Sequence, residues 1–412
     1  MTNAGPTLAS PTSEATLCET LAAMASAGSA VTCEGSGTKR HHGPTAPASA
    51  ARVISLRGLD ALTAYEPNDL VVTAQAGMRL GDLQRHLAAR HQWLPIDPPY
   101  AEATLGGILA TNSAGPRRLG YGTIKDYILG LRTANAAGVI TKSGGRVVKN
   151  VTGYDLHRLH IGAFGTLGVL VEVSLKVVPR PDVVAAVVMG FADRGRAHQR
   201  LLELATSRLH PAALEVYDGV AAAALRRTRA DLPAGEALAI VGVEGTRPVF
   251  ERHLRDLNLG TLPPSAGALL EGSAVEALWT AVQDLRALLS DAVVLRIGAL
   301  PQALPVLLEK LALARAGAVG VMAHVGTGIA RVILPADDLA ATATQLQQPT
   351  AIAARAGGYA VVESAPLGLP GRAQLPWRTA GALAGDGQPS LDQRLRQAWD
   401  PQRRLNPGRM AS

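Results

Sequence analysis

The feature that most limits what this chain can become is the glycine-punctuated stretch from Ala103 to Pro179. It opens ATLGGILATNSAGPRRLGYGTIKDYILGL, runs through GGRVVKNVTGYD, and closes with HIGAFGTLGVLVEVSLKVVP. Glycines fall where helices or strands should begin: Gly106 and Gly107, Gly115, Gly120 and Gly122, then Gly162, Gly165 and Gly168. Apolar segments of strand length, Tyr127–Ala134 and Val169–Val178, run between them. A backbone without Cβ atoms can approach a ligand closely and take positive φ, so that its amides point outward as donors. Interruption at so many element starts fits a chain that wraps a large polyanion such as a dinucleotide.

The flanking sequence supplies further pieces. Thr16–Ala27 reads as a helix with Leu17, Leu21 and Met24 on one side. Ala30–Glu34 reads as a strand that opens into Gly35-Ser36-Gly37-Thr38-Lys39, a turn able to present amides to a pyrophosphate. A plain loop is an equally good reading of those five residues alone. Arg40-His41-His42, next to Gly43-Pro44, reads as a solvated basic tip. Val53–Leu56 and Leu70–Ala74 are strand-like, and Leu80–Arg90 has helical apolar spacing. Thr104 is placed to cap a helix over Leu105–Thr111, whose free amides would then face an anion. Arg117 and Arg118 follow on a polar loop, either exposed or neutralising phosphate.

Beyond Arg180-Pro181 strands alternate with amphipathic helices: Val183–Phe191, helix Arg194–Ser207, Leu214–Tyr217, helix Val220–Arg227, Ala237–Val243 and helix Val249–Leu257. The series resumes with helix Val275–Ser290, strand Val293–Ile297 and helix Gln302–Ala314. Strands Val319–His324 and Ala330–Leu334, helix Asp338–Ala354 and strand Tyr359–Glu363 close it. That texture predicts an antiparallel sheet covered by helices. Gly368–Pro389 reads as a linker, and Leu391–Trp399 as a last helix. At 412 residues there is room for two or three domains.

Composition narrows the class. An apolar share of 47% with 18% charged residues describes an ordinary folded chain, and no apolar run approaches a bilayer's width. The first residues, MTNAGPTLASPTSEATL, lack the basic and apolar regions of a secretion signal. Two cysteines, Cys18 and Cys33, support neither a disulfide framework nor a metal cluster, so a reducing, cytoplasmic setting is expected. The net charge of +7 is spread over many helices and aromatics make up only 3%, which argues against nucleic-acid binding. An acidic partner or the membrane surface stays open.

Four of these stretches, ATLGG, SAGPRR…GYGTIKDYILG, RVVKNVTGYDL and GAFGTLGVLVEVSLKVVPRP, resemble the FAD-binding subunit of bacterial glycolate oxidase. The late DPQRRLNPGRM, Asp400–Met410, is similar too. That family belongs to the vanillyl-alcohol-oxidase, or PCMH-type, flavoproteins, and the likeness is dense over about residues 30–181. The resemblance implies an α+β protein: a PCMH-type FAD-binding domain of two α+β subdomains over residues 1–182, and a cap domain over 183–367 whose antiparallel sheet is covered by helices. A linker over 368–389 and a return of 390–412 to the FAD domain complete it.

Carried over by motif, Gly35, Ser36, Gly37, Thr38 and Lys39 form the pyrophosphate loop. Thr104, Gly106 and Gly107 contact the flavin side; Asn112, Ser113, Gly115 and Gly122 its chain; Asp126 and Ile128 the neighbouring backbone. Gly162, Gly165, Thr166 and Gly168 hold the adenosine half, and Asn406 reaches the ring region from the tail. Lys39 stands where covalently flavinylated relatives often place a histidine, which implies non-covalent FAD. Related D-2-hydroxy acid dehydrogenases carry a metal-binding HxGDGN-like motif; here it reads His324-Val325-Gly326-Thr327-Gly328, without the acidic and Asn positions, so no metal is expected and a hydrogen-bonded strand-end histidine is at least as good a reading of His324.

Oxidising a 2-hydroxy acid needs a base, a cationic clamp for the carboxylate and a dry pocket. Arginine suits the clamp because its planar fork pairs two carboxylate oxygens. Arg296, Arg331 and Arg378 are the candidates, with His324 as the base. The implied partners are a small 2-hydroxy acid, a homologous FAD subunit and an iron–sulfur subunit, with peripheral membrane association through those partners left open. Two other readings stand beside this one: a flavin-containing scaffold or relay without its own turnover, and a standalone D-lactate or sugar-alcohol oxidase.

Overall fold

Hydrophobic periodicity decides which faces these segments bury, and the computed structural model shows the result for residues 7–44, 51–147, 154–257, 267–288, 291–313, 320–334, 349–369, 372, 375–377 and 391–410. The chain divides into two compact units. The first comprises 1–114, 123–180 and 380–412; the second comprises 115–122 and 181–379.

In the first unit, helix Glu14–Ser26 begins with a capping box between Ser13 and Thr16 and buries Leu17 and Leu21. Those leucines pack on a three-stranded parallel sheet in the order Thr7–Ala9, Ala51–Ser55, Ala30–Glu34. The late segment extends that sheet at its edge: Leu405 bridges to Val31, Val31 N–H donates to Arg404 C=O, and Asn406 N–H donates to Val31 C=O. A five-stranded antiparallel sheet follows in the order Leu62–Glu66, Val71–Gln75, Val169–Lys176, Ile128–Ala134, Ile140–Gly144. Helices Leu80–Ala88 and Leu105–Thr111 share a core with this sheet through Leu83, Leu87, Leu105 and Ile108.

Among its described residues the second unit carries one antiparallel sheet of eight strands. Their order is Gly267–Glu271, Val183–Phe191, Ala237–Gly245, Ala213–Asp218, Gly320–His324, Ile329–Leu334, Val293–Gly298, Tyr359–Ser364. Alternate residues of a strand point to opposite faces, and here both faces are covered. Ala185, Val187, Leu214 and Val216 pack with helices Arg194–Ala205, Arg247–Asp256 and Leu304–Leu313. Ala186, Val188, Ala213 and Tyr217 pack instead with helices Gly219–Thr228 and Ser273–Leu288. Two-sided burial explains why these strands read as continuous apolar runs rather than alternating ones.

Several expectations need adjustment. Strands Leu62–Glu66 and Gly267–Glu271 were absent from the reading of the sequence. The expected helix Asp338–Ala354 lies mostly outside the described residues, as does most of the linker at 368–389. Segment 115–122, which carries Arg117 and Arg118, packs by its contacts with the second unit. No described helix is long and apolar enough to cross a membrane.

Candidate functional site

Strand Ala30–Glu34 delivers the chain into the loop Gly35–Lys39, and what that loop leaves unbonded is informative. Among the described residues, the backbone amides of Gly35, Ser36, Gly37 and Thr38 have no acceptor, and the buried Ser36 hydroxyl has no partner either. Lys39 is buried beside them at 6% exposure. Burying hydrogen-bonding groups without partners is unfavourable, so a run of open donors ending in a buried ammonium group suits a pyrophosphate. Gly35 is required for a second reason: the Thr104 side chain occupies the space a Cβ would need.

The loop is held from the tail. Arg409 Nη1 donates to the carbonyls of Arg40 (2.8 Å) and His42 (3.0 Å), while Nη2 donates to that of Lys39 (3.1 Å). Its guanidinium lies over the Phe164 ring, and burial pulls its pKa down to about 10. Asn406 spends both ends of its amide on backbone: Oδ1 accepts from Cys33 N–H (2.9 Å) and Nδ2 donates to Phe164 C=O (3.0 Å). One tail segment therefore fixes both the Gly35 loop and the turn at 162–168. The Arg40–His42 run is not a solvated tip. Arg40 pairs with Glu34, His42 is buried, and His41 Nε2 shares a hydrogen bond of 2.7 Å with Tyr100 Oη.

The turn 162–168 is tied to helix Leu105–Thr111 by Gly162 N–H to Leu109 C=O and Phe164 N–H to Ala110 C=O. Its backbone is left-handed at Gly162, Phe164 and Gly165 (φ 78°, 52° and 68°), and the amides of Gly165, Leu167 and Gly168 have no acceptor among the described residues. The Thr166 hydroxyl is occupied by Ala163 C=O at 2.7 Å.

At the helix itself the expectation of free amides is not met. Leu105 N–H donates to Met78 C=O, Gly106 N–H to Ala76 C=O, and Gly107 N–H to Thr104 Oγ1. Thr104, Gly106 and Gly107 thus lock the helix start against the strand end at Ala76, and Gly106 leaves little room beside Ala76 for a Cβ. Asn112 ends the helix in left-handed geometry, and the Ser113 hydroxyl lies 2.7 Å from that of Thr111. Asp126 caps its own turn by accepting from Thr123 N–H at 2.8 Å, and Ile128 begins a strand, buried. Gly115 and Gly122 bound the segment that packs in the second unit, Gly122 with φ 82°.

That unit holds a polar strip across one face of its sheet, built by strand register. Glu215 lies opposite His324, and Arg296 lies opposite Arg331. His324 Nδ1 is 2.7 Å from Glu215 Oε1, and Arg331 Nη1 is 2.6 Å from His324 Nε2. A guanidinium can only donate, so Nε2 carries the lone pair and the proton sits on Nδ1, facing the carboxylate. Arg331 also grips Glu363 through Nε (2.7 Å) and Nη2 (3.3 Å), and Arg286 reaches the same carboxylate at 3.3 Å. Burial opposes the charge on Arg331 most strongly, but the ion pair and hydrogen bond with Glu363, together with Glu215 and Tyr217, raise its pKa on balance. His324, read both as a candidate base and as a hydrogen-bonded histidine at a strand end, is bonded through both nitrogens. Arg331, expected as a clamp, is committed to Glu363.

Arg296 differs. It lies over the Tyr359 ring at 5.5 Å, and its buried Nε has no hydrogen-bond partner. Arg378 lies outside the described residues. Reading the sequence did not find Glu215, Glu363 or Tyr359, because strand register, not local spacing, brings them to His324 and the arginines. Among the described residues no group of three His, Cys, Asp or Glu side chains is placed to hold a metal ion.

Comparison with known proteins bears on the family and the cofactor. Residues 6–144 match the model of an FAD binding domain, and residues 180–359 match the C-terminal domain of FAD linked oxidases. Over 119 residues, 28% of this chain and 34% of the relative, the sequence is 48% identical to glycolate oxidase subunit GlcE of Escherichia coli K12. Over 185 residues, 45% of this chain and 39% of the relative, it is 33% identical to glycolate oxidase subunit GlcD of Bacillus subtilis 168. The matched stretches therefore span little more than a third of those relatives. A solved alkyldihydroxyacetonephosphate synthase shares the fold, with a TM-score of 0.68 at 18% identity, covering 97% of this chain and 76% of that one.

Proposed function

We propose that this chain, which belongs to the FAD-linked oxidases, is the FAD-binding subunit of a glycolate (2-hydroxy acid) oxidase. In this reading it converts glycolate to glyoxylate with non-covalent FAD and passes the electrons to an iron–sulfur partner, beside a homologous FAD subunit. The observation that carries the reading is the run of open amides from Gly35 to Thr38 together with the partnerless Ser36 hydroxyl. These groups and Lys39 would hold the pyrophosphate, while Asn406 and Arg409 hold the loop that presents them. FAD, when bound, accepts a hydride from the α-carbon of the acid.

The chain's own residues do the rest. Arg296 binds the substrate carboxylate and so fixes which α-hydrogen is presented. His324 accepts the hydroxyl proton at Nε2, with Glu215 holding the ring through Nδ1–H; the substrate must first displace Arg331 Nη1 from that nitrogen. Electrons leave to another protein or a soluble acceptor, because the two cysteines cannot build a cluster and burial pushes the Cys33 thiol up to about 12. A cytoplasmic protein that reaches the membrane surface only through its partners fits this role.

The covered Nε2 of His324 favours a second reading, in which the chain binds FAD and relays electrons without oxidising the acid itself. Anaerobic addition of glycolate to the purified chain separates the two. Bleaching of the flavin by the chain alone supports turnover. A flavin that stays oxidised until the homologous subunit is added leaves only the relay role.

A further inference from the structure

The segment 115–122 is a short excursion that packs within the second unit, and it is firmly anchored there. Gly120 N–H donates to Ala212 C=O at 3.1 Å, and its Cα lies so close to Ala212 that a Cβ would not fit. Leu119 packs against Gly326. Arg117 pairs with Glu244 at 2.7 Å and lies over the Trp279 ring. Between these anchors stands Arg118, half-buried, whose side chain makes no hydrogen bond or ion pair among the described residues. Its electrostatic neighbours are Arg331, Arg296, Tyr359 and Glu215, which places it at the polar strip.

Charge at that strip does not balance. Arg331 and Arg286 share Glu363, and Glu215 is taken up by His324 Nδ1 and by the Tyr217 hydroxyl at 3.2 Å. His324 is neutral, since Nε2 accepts a hydrogen bond. Four guanidiniums (Arg118, Arg286, Arg296 and Arg331) face two carboxylates (Glu215 and Glu363), leaving two positive charges without a counter-ion among the described residues. Like charges held together in a partly desolvated place repel, and burial and the two neighbouring arginines all work against the charge on Arg118. A ligand carrying two negative charges would remove that repulsion.

We propose that Arg118 and Arg296 together form a binding site for a small dianionic acid, so that the 2-hydroxy acids this site accepts include dicarboxylates, bound more tightly than the singly charged glycolate. One guanidinium takes the carboxylate next to the hydroxyl-bearing carbon, and the other takes the second acidic group. The site rests on the reading of the strip as the substrate-binding region but needs no redox step, so binding alone tests it.

The probe is malonate, a dicarboxylate with no oxidisable hydroxyl, titrated calorimetrically into the FAD-loaded chain with acetate as the single-charge control. Malonate should bind at least tenfold more tightly than acetate. Arg118→Met should remove at least tenfold of the malonate affinity, leave acetate within about twofold, and be partly rescued by Arg118→Lys. Equal affinities for malonate and acetate in the parent chain overturn the proposal, whatever the variants do. So does an Arg118→Met protein with an unchanged melting temperature and unchanged malonate affinity. Flavin bleaching by glycolate without malonate binding removes this proposal and leaves the oxidase reading intact. Malonate binding without bleaching by any 2-hydroxy acid does the reverse.

Discussion

Replacing Gly165 by alanine should release the flavin while the polypeptide stays folded. Gly165 sits at φ 68°, and a Cβ there would run into the Nδ2 amide of Asn406. A side chain at such a φ costs about 1–2 kcal/mol. Moving the Asn406 amide aside breaks its bond to Phe164 C=O or to Cys33 N–H, at a net ~1 kcal/mol. The sum of about 2–3 kcal/mol is a factor of roughly 30 to 150 in the balance between seated and displaced loops. A domain with roughly 5–15 kcal/mol of stability survives that loss. The assay strips the flavin, titrates FAD back by fluorescence quenching, and melts the apoprotein in parallel. The expected result is a dissociation constant raised about 30- to 150-fold with only a modest fall in apoprotein melting temperature. A Gly165→Ala protein with the parental dissociation constant refutes the reasoning, and so does a Gly165→Val protein that purifies fully yellow.

Arg409→Met removes three hydrogen bonds to the carbonyls of Lys39, Arg40 and His42, so FAD should dissociate at least tenfold faster, read by fluorescence recovery. Glu363→Ala leaves the buried Arg331 and Arg286 without their carboxylate and should lower stability by about 3–5 kcal/mol in urea denaturation; a loss under about 1 kcal/mol contradicts the described network. His198, fully buried with neither ring nitrogen bonded, has its pKa pushed down to about 4 by burial, and His160 follows for the same reason. Their folded pKa values lie below the unfolded value of about 6.5, so the stability they support is full above pH ~6.5 and is lost as pH falls towards ~4. His198→Leu should flatten the decline of melting temperature across that window; an unchanged slope would show that His198 is not a source of it.

Much of this could be read from residue order, and the gaps have physical reasons. Val183–Phe191 and Ala237–Gly245 are unmistakable strands because β-branched and other apolar residues run unbroken between turn signals. Leu62–Glu66 has only intermediate and exposed positions, so no apolar run marks it. The glycines at 35–37 and 162–168 were visible as loops that approach something closely. Whether an amide is left open, however, depends on carbonyls brought in from elsewhere. Nothing near Leu105 or Gly106 announces that Met78 and Ala76 will occupy their N–H groups. Arg117 and Arg118 look alike in the sequence. Only the docking of 115–122 onto Ala212 and Gly326 gives one a carboxylate and leaves the other none.

The hold of Asn406 and Arg409 on the Gly35 loop also bears on how the protein is made. Cys33 and Asn406 are 373 positions apart, so all the chain between them has been synthesised before this contact can lock the Gly35 loop. Nascent chains, which fold from the N-terminal side first, therefore hold an unsecured loop until residue 406 has been made. If that loop seats the flavin, flavin uptake is a late event in biogenesis, and a chain ended before residue 404 should purify without the flavin's visible absorbance.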